Sequence, residues 1–290
     1  MLKIKAPAKV NWYLEIPGKR PDGFHEIYTV MQAIDLCDDI VVQDRSDGAL
    51  SLTCNIDLGP VETNLVYRAA KLLQTEHAPK RGASIALFKR TPHGAGLGGG
   101  SSDASATLVA LNRLWELNLG ADRLRELAAH IGSDCAFFIE GGTALCTGRG
   151  EQVQQLHDQP GLPVVILYPN DVCPTKEVYA DLAKGLNYGQ PDCYLFHVFE
   201  GQADPAKLAS VVTNRLQASA LRVSKRLAEV WGKTAQENGV LVRFVSGSGS
   251  SVAFLMSNAA ASIELVNTLT RRGLGQAFAT QTLPRGPVWG

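Results

Sequence analysis

The stretch Pro92-His93-Gly94-Ala95-Gly96-Leu97-Gly98-Gly99-Gly100-Ser101-Ser102-Asp103 decides what this chain can fold around. Five glycines fall within Gly94–Gly100. Glycine lets a backbone approach a ligand closely and line up successive N–H groups. The loop runs into Ala104–Trp115, rich in Ala and Leu at helical spacing. Ser101 or Ser102 is expected to cap that helix, with Asp103 in its first turn. A helix start adds unpaired N–H donors and partial positive charge. Loop and helix together make a cradle for an anion, most simply for phosphates. A plain linker does not account for the Ala-rich helix that follows.

Several phosphate motifs can be compared with this loop. Gly94, Gly96 and Gly99 satisfy G-x-G-x-x-G, but any glycine-dense loop does. Polar Arg90-Thr91-Pro92-His93 separates the preceding strand from the first glycine, and the loop lies far from the first βα turn. Both count against a dinucleotide site. No Lys follows Gly100, so it is not a Walker A loop. Gly232-Lys233-Thr234 resembles the tail of one, yet Leu227 stands where glycine is needed. H-R-D and D-F-G are absent. The residues themselves point to a phosphate cradle. A dinucleotide-dependent oxidoreductase and a non-catalytic nucleotide binder stay open as alternatives.

Outward from the loop, Ile4–Ile16 reads as a strand interrupted at Pro7. Ile27–Leu36, Asp39–Gln43, Leu50–Cys54 and Ser84–Phe88 also read as strands. Helices are expected over Asn64–Glu76 and Asp122–Ile131, and strand-like residues return over Phe137–Thr147. Pro160 and Pro163 mark a boundary, dividing the chain into 1–160 and 161–290. In the second part, helices are expected over Lys176–Leu182, Lys207–Val212, Lys225–Asn238 and Ala259–Arg271. Strands are expected over Val164–Tyr168, Leu241–Val245, Val252–Leu255 and Ala277–Thr282. This order suits an α+β class.

The chain has 290 residues, 45% hydrophobic and 19% charged, which is ordinary globular composition. Lys and Arg number 28 and Asp and Glu 28. A balanced charge argues against nucleic-acid or membrane-surface binding, which needs a basic excess. The six cysteines form no C-x-x-C, and buried reduced thiols are expected. Lys3 and Lys5 interrupt the N-terminus where a signal peptide needs an apolar run. No stretch offers a membrane span. A cytoplasmic protein is expected, as a monomer or weak homodimer. HExxH, EF-hand and Gly-x-Ser-x-Gly patterns are absent, which lowers the expectation of a structural metal or a hydrolase.

The phosphate loop, Pro92-x-Gly-Ala-Gly-Leu-Gly-Gly-Gly-Ser-Ser-Asp-Ala104, resembles the ATP-binding motif of the GHMP kinases. That family comprises galactokinase, homoserine kinase, mevalonate kinase and phosphomevalonate kinase. Pro7-Ala8-Lys9-Val10-Asn11 resembles its N-terminal motif, and Ser246-Gly247-Ser248-Gly249-Ser250 its C-terminal glycine-rich motif. The three occur in the family's order and span nearly the whole chain. The resemblance implies a ribosomal protein S5 domain 2-like N-terminal domain and a ferredoxin-like C-terminal domain. Lys9-x-Asn11, Asp22-Gly23-Phe24-His25, the triple glycine and Gly132-Ser133-Asp134 are similar to one branch. That branch phosphorylates a hydroxyl of a cytidine diphosphate-linked methylerythritol in the non-mevalonate isoprenoid precursor pathway. Homoserine and mevalonate kinase types are the near alternatives.

On this resemblance, Asp134 is the expected base and Lys9 its electrostatic partner. A cation within about 4–6 Å keeps a carboxylate ionised and can stabilise charge on the transferring group. Pro92, Gly94, Ala95, Gly96, Leu97, Gly98, Gly99, Gly100, Ser101 and Ser102 are expected on ATP. Asn64 and Lys89 are expected beside its nucleoside, and Ser102 as the hydroxyl facing Mg²⁺. Asn11, Phe24, His25, Thr175 and Tyr179 are expected on the cytidine substrate, with Phe24 stacking on the base and His25 pairing with its edge. Four features depart from the family pattern: Ala136 for proline, Phe24 for tyrosine, Val245 for methionine, and Asn214-Arg215-Leu216-Gln217 for a more acidic segment.

Overall fold

The computed structural model describes residues 1–185 and 188–290. Among these residues the strands form two sheets, of eight and four strands. The first sheet is ordered β12-β1-β2-β4-β3, from β1 (Leu2–Lys19), β2 (His25–Arg45), β3 (Leu50–Cys54), β4 (Gly82–Phe88) and β12 (Val288–Trp289). β5 (Thr143–Thr147) joins it on β2, β6 (Gln152–Gln155) on β5, and β8 (Thr213–Asn214) on β1. The second sheet is ordered β11-β7-β10-β9, from β7 (Pro163–Tyr168), β9 (Val240–Val245), β10 (Val252–Met256) and β11 (Gln276–Gln281). The α+β class expected from the sequence holds.

β1 positions the site through strand alternation. Successive side chains of a strand point to opposite faces. Ala8, Val10 and Trp12 enter an apolar cluster with Val164, Ile166 and Phe244 of the second sheet. Trp12 meets Phe244 with ring centroids 5.5 Å apart. Lys9 and Asn11 therefore face the other way, into the cleft. Pro7 does not interrupt β1. The register with β2 shifts between Pro7 and Ala8, and an irregularity of this kind accommodates proline in a strand. The same irregularity lies opposite residues 35–36, so Ile27–Leu36 and Asp39–Gln43 are one continuous strand rather than two.

Helices α1 (Leu65–His77), α2 (Gly99–Leu114) and α3 (Ala121–Ile131) pack together over the first sheet. Ala69, Ala70 and Leu73 of α1 share a fully buried core with Ala104, Leu108 and Leu111 of α2. The short helix α4 (Cys135–Phe138) stands where a strand was expected from Phe137 onward. A brief apolar run does not distinguish the two by periodicity. The remaining helices are α5 (Thr175–Gly185), α6 (Pro205–Val211), α7 (Gln217–Val223), α8 (Lys225–Lys233) and α9 (Ala259–Arg271). α8 ends at Lys233, short of the expected Asn238. Cys37, Cys135, Cys146 and Cys173 are buried free thiols, whereas Cys54 is half-buried. The side chain of Cys193 lies outside the described ones.

Candidate functional site

The glycine loop bends through left-handed backbone at Gly94, Gly96 and Gly98, with φ of 68°, 76° and 70°. Gly98 is the N-cap of α2, and no side chain caps it. The expected serine cap is therefore absent, which leaves first-turn amides of α2 available to an anion. The loop is hooked to both sheets. The Lys9 amide donates to Leu97 O at 2.9 Å, and the Ser251 amide donates to Ala95 O at 3.1 Å. Ser246 Oγ donates to Gly96 O at 3.2 Å. This brings the second glycine-rich turn, residues 246–251, against the first.

Between the turns lies a cleft of about 420 Å³. Lys9, Asn11, Asp134, Lys89, Thr175 and Tyr179 line it together with the loop from Pro92 to Ser101. A chain of hydrogen bonds fixes the Lys9 ammonium. Thr29 Oγ1 donates to Tyr13 O at 2.6 Å, and Asn11 Nδ2 donates to Thr29 Oγ1 at 2.8 Å. Asn11 Oδ1 is thereby turned to accept from Lys9 Nζ at 2.7 Å. Lys9 Nζ stands 3.6 Å from Asp134 Oδ2. Asp134 precedes α4 but gives it no side-chain cap, so its carboxylate is left for the cleft. It lies at a helix start, not at the edge of a strand.

Lys89 is held differently. Its Nζ donates to Asp38 Oδ2 at 2.5 Å and to Asp103 Oδ2 at 2.7 Å, and all three side chains are buried. Asp38 Oδ1 also accepts from the amides of Arg90 and Thr91, which lead into the glycine loop. Burial pushes the Asp103 carboxyl up to about 8, with Lys89 opposing. Burial alone lowers a lysine, but Asp103 and Asp38 hold Lys89 above its usual value. Lys89→Met removes the cation shared by two buried carboxylates. It is expected to cost about 3–5 kcal/mol, read as a lower urea midpoint. A midpoint equal to the parent's refutes this role.

Other expected residues fall elsewhere. Ser102 is turned from the cleft, 1% exposed, and borders a small cavity with Phe138 and Pro284. Ser101, by contrast, does line the cleft. Asn64 caps α1, accepting from the Val66 amide at 2.9 Å. It borders a separate hollow with Leu52, Ile56 and Leu58. Asn55 on its wall donates to Lys89 O at 3.2 Å, and Leu65, next to Asn64, lines the cleft. Phe24 is 52% exposed, with the Arg149 guanidinium 5.2 Å from its ring, so it stands at a rim rather than in the cleft. His25 packs on Tyr179, centroids 4.9 Å apart, and on Tyr188 at 6.2 Å. Its Nε2 is buried without a partner among the described residues. Burial, then the Lys19 charge, lowers its pKa below the usual 6.5. Thr175 and Ser248 hydroxyls bond at 2.9 Å across the cleft rim.

The sequence did not single out Thr29 or Tyr188, and it marked Asn214 only within a segment that departs from the family pattern. Thr29 lies in an ordinary strand and Tyr188 in an irregular segment, so neither carried a local pattern. Among the described residues, no cluster of three or more His, Cys, Asp or Glu could hold a metal ion. No helix there is long and apolar enough to cross a membrane.

Residues 64–142 match the GHMP kinases N terminal domain. A 4-diphosphocytidyl-2-C-methyl-D-erythritol kinase of Geobacillus sp. (strain WCH70) is 38% identical over 97% of both chains. One from Pelotomaculum thermopropionicum is 41% identical over 85% of this chain and 86% of its own. A crystal structure of 4-(cytidine 5'-diphospho)-2C-methyl-D-erythritol kinase superimposes with a TM-score of 0.80 at 32% identity, covering 97% of this chain and 98% of that one. A homoserine kinase from Cytophaga hutchinsonii shares the fold, with a TM-score of 0.76 at 17% identity.

Proposed function

Because the chain belongs to the 4-diphosphocytidyl-2-C-methyl-D-erythritol kinases within the GHMP kinase family, we propose that its cleft performs their phosphoryl transfer with Asp134 as base and Lys9 as electrostatic partner. The protein is an ATP-dependent phosphotransferase of isoprenoid precursor synthesis, acting on an alcohol group. The dinucleotide-dependent oxidoreductase reading falls with this membership.

One observation supports the assignment of roles above the others. A carboxylate and an oriented ammonium, 3.6 Å apart, share one cleft with the phosphate-binding loop. Phosphoryl transfer needs positioning, charge stabilisation and an acceptor for the hydroxyl proton. Asp134 takes that proton as the hydroxyl oxygen bonds to the γ-phosphorus and the bond to ADP breaks. Lys9, aimed by Asn11, stabilises negative charge on the transferring group. The amides of residues 94–101 hold the phosphates. The hollow bordered by Asn64 is our proposed nucleoside side, with Lys89 at its junction with the cleft.

Mg²⁺ fits this donor set, because it takes few protein oxygens and shares the rest with phosphate and water. Ser101, which lines the cleft beside the phosphate loop, is the residue that would hold it. When bound, it would neutralise charge on the β- and γ-phosphates. We divide the chain into 1–160 and 161–290, a division supported by the second sheet, whose four strands all lie in 161–290, while β8 and β12 reach back to the first sheet. A cytoplasmic location is supported by the free thiols at Cys37, Cys54, Cys135, Cys146 and Cys173.

The cytidine end is assigned to His25, Tyr179 and Thr175. A neutral imidazole offers one donor and one acceptor, which suits the edge of cytosine, and the buried Nε2 of His25 lacks a partner among the described residues. In an ADP-release assay, His25→Ala is expected to raise KM for the cytidine substrate by at least about tenfold, the worth of a lost hydrogen bond of about 1.5 kcal/mol, with little change for ATP. The lowered pKa gives the pH sign. His25 stays neutral at pH 7, and KM for the substrate rises only as pH falls below 6.5. Equal shifts in both KM values refute the cytidine pocket.

A further inference from the structure

We infer that Asn214, assisted by Gln217, is a positioning residue that sets the second glycine turn against the Lys9–Asn11 pair. The inference rests on the kinase reading of the cleft and adds a part that the reading does not contain.

The turn lies very close to the catalytic pair. A Cβ built on Gly247 would fall 3.3 Å from Lys9 Nζ, 3.5 Å from Asn11 Oδ1 and 3.1 Å from Gly96 O. Gly247 therefore packs on the ammonium, its orienting amide and the phosphate loop at once. Its own backbone is left-handed, with φ of 55°. A small displacement of this turn reaches all three.

The segment 214–217 holds the turn in place. Asn214 Nδ2 donates to Val245 O at 2.6 Å and to Gly247 O at 2.8 Å. Gln217 Oε1 accepts from the Val245 amide at 3.1 Å. The Asn214 amide is itself oriented, because its Oδ1 accepts from the Leu216 amide at 2.9 Å. Both amide protons of Asn214 are thus spent on the carbonyls that flank Ser246, whose hydroxyl bonds to Gly96 O.

The other side of the segment is fastened to the strand that carries Lys9 and Asn11. β8 pairs with β1, Thr213 beside Tyr13 and Asn214 beside Leu14. The Arg215 amide donates to Leu14 O at 2.8 Å. Its guanidinium grips buried Glu15 at 2.5 and 2.8 Å, the two-pronged geometry that fixes direction as well as distance. A closed circuit results: β1 holds 213–217, which holds 245–247, which rests on Lys9 and Asn11 of β1. Asn214 does not line the cleft, whereas Gly247 does, so Asn214 acts through Gly247.

Asn214→Asp separates positioning from bulk structure. The carboxylate keeps the size of the amide and still accepts from Leu216, but it cannot donate to Val245 O and Gly247 O. Misplacement of a catalytic group by about 1 Å costs about 10²-fold, so kcat is expected to fall by that order. KM for ATP and for the cytidine substrate should change far less. Amide hydrogen exchange gives a readout that needs no activity. Gly249 and Ser251, whose amides bond to Ser246 O and Ala95 O, should exchange faster, with exchange elsewhere unchanged. Gln217→Glu keeps the acceptor for Val245 and should retain kcat, whereas Gln217→Leu should lose part of it. This second pair decides the matter if Asn214→Asp does not fold. Unchanged kcat and exchange in Asn214→Asp overturn the inference. A general rise in exchange with kcat lost only in proportion to unfolded protein overturns it equally. Absence of any transfer in the parent chain would sink the kinase reading instead, and leave the exchange result to judge the latch.

Discussion

Asp134→Asn is expected to lower kcat by about 10²–10⁴-fold, the contribution of a positioned general base, while KM for ATP stays near the parent value. Asn keeps the shape of the side chain but does not take the hydroxyl proton. Asp134 gives α4 no cap and is half-buried, so the fold should not depend on its charge. The two readouts must separate, because Asp134 lies at the acceptor side and the amides of residues 94–101 hold the nucleotide. A kcat within about threefold of the parent's, far below a base's worth, would remove Asp134 from the mechanism.

Gly96→Ala is expected to be nearly as damaging, for a steric reason. Gly96 has a φ of 76°, and an added Cβ would fall 2.2 Å from Ser246 O and 2.7 Å from Gly249 O. Both obstacles are backbone, so no side-chain rotation relieves them. Left-handed backbone costs a non-glycine residue about 1–2 kcal/mol by itself. The larger effect is that the two glycine turns must part, which moves the phosphate cradle from Lys9 and Asp134. kcat/KM for ATP should fall by about 10²-fold. Gly232→Ala, in α8 with no atom near the added methyl, is the control and should match the parent. If Gly96→Ala also matches it, the turns do not form one site.

The sequence made some of this legible and hid the rest, for separable reasons. The helix Ala259–Arg271 was readable to the residue, because Asn258 caps it and Gly273 follows it. The phosphate loop was readable because glycine density is rare and its cost is paid only for close approach. The start of α2 was misplaced by several residues, since Gly99 and Gly100 are poor helix formers that tertiary contacts override. β6 was missed because Gln152–Gln155 carries a single apolar residue, Val153, too few for an alternating pattern. The pairing of Lys9 with Asp134 was expected only through resemblance. Residues so far apart in sequence show no spacing that betrays a contact. Lys89 was placed near the nucleotide, but its two buried carboxylates come from separate segments, and Asp103 read as a helix-dipole residue.

The topology has a consequence for how the polypeptide matures on the ribosome. β12 pairs with β1, Ile4 beside Trp289 and Lys5 beside Val288. The rim of β1 at Ile4 and Lys5 therefore stays unpaired until residues 288–289 emerge. At synthesis rates of about 5–20 residues per second, that interval is roughly a quarter to a full minute. An open strand rim is a template for pairing with other chains. Nascent copies are thus open to mutual association until that pairing forms, and a chaperone that shields residues 2–6 during translation should raise the soluble yield.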